Sequence, residues 1–129
     1  MSEANGPFCE LPVERIVLSA DEALVIRDGF TVSPGDTLVV LRRHVESFSE
    51  LTAVVRAWMF ELLARVRADL DGSLRPDGFN IAINDGAAAR QAVAQLHLHL
   101  IPRYLGDVLD PRGGVRCVLS GKAKYWAEG

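Results

Sequence analysis

Cysteine is scarce in this chain: there are two, Cys9 and Cys117, and they form no CxxC or other ligand spacing. Two cysteines in a medium-sized chain whose opening residues do not read as a signal peptide point to a reducing compartment. The start, "MSEANGPFCELP", lacks a basic opening and an apolar core, and no apolar run approaches the ~20 residues that span a bilayer. A cytoplasmic protein with no membrane partner is expected. An excess of positive charge is also missing. Net charge is −3 and the pI about 5.6, so no direct nucleic-acid binding is expected and any phosphate must be held by a local site. There is no internal repeat, low-complexity tract or long linker, which suggests one domain over 1–129, with 1–12 a loose N-terminal arm.

The apolar fraction of 49% and charged fraction of 24% are those of an ordinary globular protein. "ERIVLSADEALVIRDG" reads as two short strands, Arg15 to Leu18 and Ala23 to Arg27, with "SADE" as a hairpin turn. "VSPGD" is turn chemistry, and "TLVVLRR" follows as a strand whose Leu38, Val39, Val40 and Leu41 should be buried on both faces. From about Glu50 to Asp71 the period changes. Leu51, Val54, Val55, Trp58, Leu62, Val66 and Leu70 recur at threes and fours, as in an amphipathic helix. Ser47 with Glu50 resembles a capping box, with Thr52 as a rival start. "DGSLRPDG" should end the helix; "FNIAIND" and "AVAQLHLHLIPR" give two further strands joined by "GAAARQ". The tail holds a tight turn, "DPRGGVR", and a short apolar run. Strands around a single long helix predict an α+β fold, an antiparallel sheet of about five strands with one packed helix.

Histidine is scarce too, yet two of the three stand together in "QLHLHLIPR". In a strand, side chains alternate, so Gln95, His97, His99 and Ile101 share one face while Leu96, Leu98 and Leu100 share the other, under the helix. Three readings of the polar face compete. It could be a plain solvated strand face. His-x-His could present two ligands to zinc or iron, though His44 lies after another strand and no Cys pair or HxxE accompanies it. Or a neutral imidazole could attack phosphorus, with the second ring or an amide holding the non-bridging oxygens.

The region "NDGAAARQAVAQLHLHLIPRYLGD" resembles the signature of the histidine triad (HIT) family, His-φ-His-φ-His-φ-φ with φ apolar, commonly followed by Pro-Arg. Leu96, Leu98, Leu100 and Ile101 fill the φ positions, and Asn84 stands eleven residues before Gln95, where the family has Asn or Gln. "IRDG…VSPGDTLVVLRRHVESFSELT" and "PFC" resemble the family's N-terminal half, so the likeness runs through nearly the whole chain in order. The resemblance implies the HIT fold, a homodimer, and hydrolysis or transfer at the α-phosphate of a purine nucleoside phosphoramidate or dinucleoside polyphosphate. It implies no cofactor and no metal. By position, His97 would be the nucleophile, His99 and Gln95 its catalytic neighbours, and Asn84 and Gln91 substrate contacts. Asp28 would meet the ribose hydroxyls, and Phe8, Leu11 and Ile26 the base. A module that binds nucleotide in the same pocket without turnover is the alternative. Each side chain also has a plainer reading: Asp28 and Asn84 as turn residues, the apolar three as core, Arg112 and Arg116 as solvated charges, His44 as surface.

Four positions depart from that pattern. Gln95 replaces the first triad histidine; an amide keeps a donor and an acceptor but carries no proton between groups. Ala92 stands where Ser or Thr is frequent, a lost donor worth about 1–3 kcal/mol in the transition state. Arg90 replaces a common glycine. Asp36 replaces a frequent histidine, and a carboxylate near phosphate is repulsive unless a cation such as Arg90 pairs with it.

Overall fold

A computed structural model of the chain describes residues 16–19, 22–28, 32–89, 91 and 95–119. Five strands form one antiparallel sheet: β1 (Ile16–Ser19), β2 (Ala23–Arg27), β3 (Thr37–Leu41), β4 (Gly78–Ile83) and β5 (His97–Arg103), in the order β1-β2-β3-β5-β4. One long helix, α1 (Ala53–Leu74), separates β3 from β4. This is the expected α+β arrangement. The expected arm at 1–12 lies outside the described residues, as does part of the first hairpin turn. β1 reaches Ser19, one residue beyond its expected end.

Both candidate helix starts are used, for different elements. Ser47 and Glu50 form a reciprocal capping box on a short 3-10 turn, Phe48–Glu50. The Thr52 side chain then accepts the Val55 N–H at 3.2 Å and caps α1. The expected helix at 50–71 is therefore shifted, to Ala53–Leu74. Gly72 does not stop it, since one glycine costs only about 1 kcal/mol in a helix. Pro76 does: the residue before a proline is driven from helical geometry, and Arg75 takes left-handed φ 50, ψ 53. Met59, Leu62, Leu63, Val66 and Leu70 form the buried stripe. Val54, expected on it, lies about 140° round the helix from the centre of the stripe and is 79% exposed.

The core lies between α1 and one face of the sheet. Val25, Val39 and Leu41 join Leu96, Leu98 and Leu100 there, with Trp58, Phe79 and Ile83 packed against the cluster. β3, the central strand, is buried on both faces, as its unbroken apolar run predicts. A second, smaller cluster of Leu24, Ile26, Leu38 and Val40 covers the opposite face.

Two contacts fasten the β2–β3 turn to the end of β5. Ser33 Oγ donates to the Pro102 carbonyl at 2.6 Å and the Tyr104 hydroxyl to the Pro34 carbonyl at 3.0 Å. Gly35, the next residue of the turn, has φ +86, and an added Cβ there would meet Leu74 Cδ1 at 2.5 Å. Just beyond, Arg103 binds Asp107 through two nitrogens at 2.7 and 2.8 Å and Asn80 Oδ1 at 2.6 Å. The guanidinium holds the Asp107 carboxyl down to about 2.

The leucines of β5 hold its register, so removing one should cost as a core deletion does. Leu98→Ala is expected to lower unfolding free energy by about 2–5 kcal/mol in urea denaturation, whereas Val54→Ala should change it by less than about 0.5 kcal/mol.

Candidate active site on the second face of the sheet

Directly paired residues in an antiparallel sheet point to the same side. β5 pairs His97 with Val40 and His99 with Leu38, while β2 pairs Leu24 with Val40 and Ile26 with Leu38. Both histidines therefore stand on the face away from α1, beside Leu24, Ile26, Leu38 and Val40. On the other side of β5, Ala82 pairs with His99. Continuing that register by one residue sets Asn84 across from His97, and continuing the β3 register sets Asp36 across from Ile101.

His97 is buried, at 8% exposure. Its Nδ1 lies 2.8 Å from the backbone carbonyl of Gln95. A carbonyl only accepts, so the bond requires the proton on Nδ1, and the lone pair of the neutral ring then sits on Nε2. The His99 ring meets the His97 ring edge-on, with centroids 4.9 Å apart and planes at 62°. Burial pushes the His99 pKa below the ordinary histidine value, the neighbouring His97 lowers it further, and the charge of Asp28 opposes both. His99 Nε2 is buried with no hydrogen-bond partner among the described residues.

Gln95 departs from the expected strand position. β5 begins at His97, and the chain bends at Gln95 because the Leu96 N–H turns to the Val45 carbonyl, at 2.6 Å, rather than continuing the ladder. The Gln95 side chain is 2% exposed and donates through Nε2 to the Leu41 carbonyl at 2.7 Å. Its two functions are thus separate: the amide ties the approach of β5 to the end of β3, and the backbone carbonyl holds His97.

Of the other expected site residues, Ile26 is fully buried in the cluster beside the histidines. Asp28 follows β2, its N–H bonded to the Asp36 carbonyl at 3.0 Å, and its charge acts on both Asp36 and His99. Asn84 is half-buried just past β4. Gln91 uses its amide to staple loops: Oε1 accepts the Gly86 N–H and Nε2 donates to the Glu46 carbonyl, each at 2.8 Å. Phe8, Leu11, Arg90 and Ala92 lie outside the described residues, and so does any Asp36–Arg90 pair. Arg112 binds Asp110 at 3.0 Å and His44 binds Glu46 at 3.1 Å, both on the surface. Among the described residues no three His, Cys, Asp or Glu side chains are grouped so as to hold a metal ion. No helix of the described residues is long and apolar enough to cross a membrane.

Asp36 was legible only as a departure from a pattern. In the structure it is 1% exposed, accepts the Val32 N–H through Oδ2 at 3.3 Å, and leaves Oδ1 without a partner. Burial raises its pKa, and the nearby Asp28 raises it further against the backbone donors of Val32 and Thr37.

The HIT domain family model matches residues 12–106. The chain belongs to the histidine triad family. An uncharacterized HIT-like protein of Saccharolobus solfataricus is 33% identical over 104 residues, covering 78% of this chain and 75% of that one. An AP-4-A phosphorylase of Mycobacterium tuberculosis is 32% identical over 111 residues, covering 78% of this chain and 55% of the relative. The chain thus spans between about half and three quarters of these relatives. The crystal structure of a HIT family protein from Bacillus anthracis superposes with a TM-score of 0.73 at 30% identity, covering 80% of this chain and 76% of that one. The likeness in sequence and structure shows the HIT fold for this chain.

The Gln95 amide has one strong structural bond to lose. Gln95→Ala should leave the buried Leu41 carbonyl without its donor and reduce stability by about 1–3 kcal/mol in urea denaturation. His97 should keep its Nδ1 proton, read from imidazole 15N shifts, because the carbonyl that holds it belongs to the backbone.

Proposed function

We propose that this HIT protein is a nucleotide hydrolase or nucleotidyl transferase that works through a nucleotide bound covalently to His97. The observation that carries the reading is the 2.8 Å bond from His97 Nδ1 to the Gln95 carbonyl. It holds the proton on one nitrogen and leaves the other nucleophilic, without any side chain having to ionise. The name of the Mycobacterium tuberculosis relative, an AP-4-A phosphorylase, is in keeping with reaction at a nucleotide phosphate.

In the proposed reaction His97 Nε2 attacks the α-phosphorus of a purine nucleoside phosphoramidate or dinucleoside polyphosphate. The P–N or P–O bond to the leaving group breaks, and its electron pair departs with that group. Water, or another acceptor, then attacks the same phosphorus; the bond to His97 breaks and the imidazole is restored. His99, two residues along the same strand, and Asn84, across from His97 just past β4, would hold the non-bridging oxygens. Asp28 would take the ribose hydroxyls, and Ile26, with Phe8 and Leu11, the base. Most of the catalytic advantage would come from orientation and placed donors, as in phosphoryl transfer generally. Gln91 would act at one remove, by shaping the loop after β4. We take the working form to be a cytoplasmic homodimer, on the family likeness.

Brief incubation with an α-labelled substrate, followed by a denaturing gel, should leave label on the wild type and none on His97→Ala, with turnover reduced at least about 10⁴-fold. Micromolar AMP binding with no label and no consumption across a panel of phosphoramidates and dinucleoside polyphosphates would replace this reading by a binding module.

A further inference from the structure

Three buried side-chain atoms among the described residues lack a hydrogen-bond partner: Asp36 Oδ1, Gln95 Oε1 and His99 Nε2. Buried polar atoms are rarely left unpaired, so each calls for a partner. Two of the three belong to one patch. Leu38 on β3 pairs with His99, and Asp36 stands two residues from Leu38, on the same face, which makes it a diagonal neighbour of His99. Such neighbours have Cα atoms about 7–8 Å apart, within reach of a carboxyl and an imidazole across one water. The charge of Asp28 acts on both residues.

We propose that Asp36 is a positioning residue for His99, its Oδ1 linked to His99 Nε2 through one buried water, so that the two share a proton. With the proton on Asp36, the carboxyl donates to the water, which donates to Nε2. With the proton on His99, Nε2–H donates to the water, which donates to the carboxylate. In both forms the pair is neutral overall and His99 Nδ1 keeps a hydrogen to give to a phosphoryl oxygen. A carboxylate beside a phosphate site is thereby made compatible with an anionic substrate, with no surface cation required. The groups facing His99 are His97 on its own strand, Leu38 and Asp36 on β3, Ala82 on β4, and Asp28 beyond β2. Burial raises the pKa of the acid and lowers that of the base, which narrows the gap across which the proton moves.

The inference rests on the phosphate role proposed for His99, but its test does not require turnover. Imidazole 15N spectra of the full chain, titrated with and without AMP, would compare wild type with Asp36→Asn. Asparagine retains an oxygen for the Val32 N–H, so the β2–β3 turn is preserved. In the wild type His99 should titrate in two steps shared with Asp36. In Asp36→Asn the upper step should vanish, the His99 pKa should fall by about one unit, and AMP should bind about tenfold more weakly. His97 should keep its tautomer in both proteins. As a second measurement, the Asp36 carboxyl 13C titration should move when His99 is replaced by Gln. Identical His99 titration in wild type and Asp36→Asn, or an Asp36 carboxyl indifferent to His99→Gln, would overturn the pairing. Absence of a labelled His97 alongside a coupled titration would instead overturn the enzyme reading and leave the pairing intact.

Discussion

The alternation of β5 is the constraint on which the site depends. Leu96, Leu98 and Leu100 are each almost wholly removed from water beneath α1, and burying one leucine contributes about 1.5–3 kcal/mol. A slip of one residue would turn that burial into exposure and carry the histidines into the core. The register is thus held by the apolar face, while the polar face inherits its geometry. His97 and His99 need no stabilising contribution of their own to be placed side by side.

Placement is then refined by backbone rather than by side chains. The Gln95 carbonyl orients His97, and the Gln95 amide anchors the same bend to Leu41. The first position of the histidine pattern can therefore differ without disturbing the His97 ring, provided that its side chain can donate one hydrogen bond inward. Glutamine does so and adds no titratable group beside His97. This explains how a departure that looks severe in the motif can leave the ring geometry in place.

Periodicity and capping made much of the fold legible. The alternation in "QLHLHL" identified the two faces of β5, and the unbroken run in β3 identified the central strand. Helix limits were less legible because Ser47 and Thr52 are both good caps, and only tertiary packing decides which one starts α1. Gly72 looked like a stop, but the buried Leu70 and the packing that precedes it outweigh one glycine; proline ended the helix. Candidate site residues near the histidines came from the family pattern. Gln91 was legible as a polar residue in the right loop, but not as a staple, since its partner Glu46 is distant in sequence. The burial of Asp36 could not be seen at all, because it depends on the β2–β3 turn being fastened to β5 through Ser33 and Tyr104.

That fastening has an electrostatic consequence. A carboxylate at the mouth of a phosphate site would repel its ligand if it were solvated and fully charged. Sealing it beneath the turn penalises the charged form, and Asp28 adds to the penalty. The same desolvation acts on His99 in the opposite sense, favouring the neutral ring. Acid and base are thus both pushed toward their neutral forms by one cause, burial. In a chain with a net negative charge, that lessens the repulsion which the proposed nucleotide phosphate would meet beside His99.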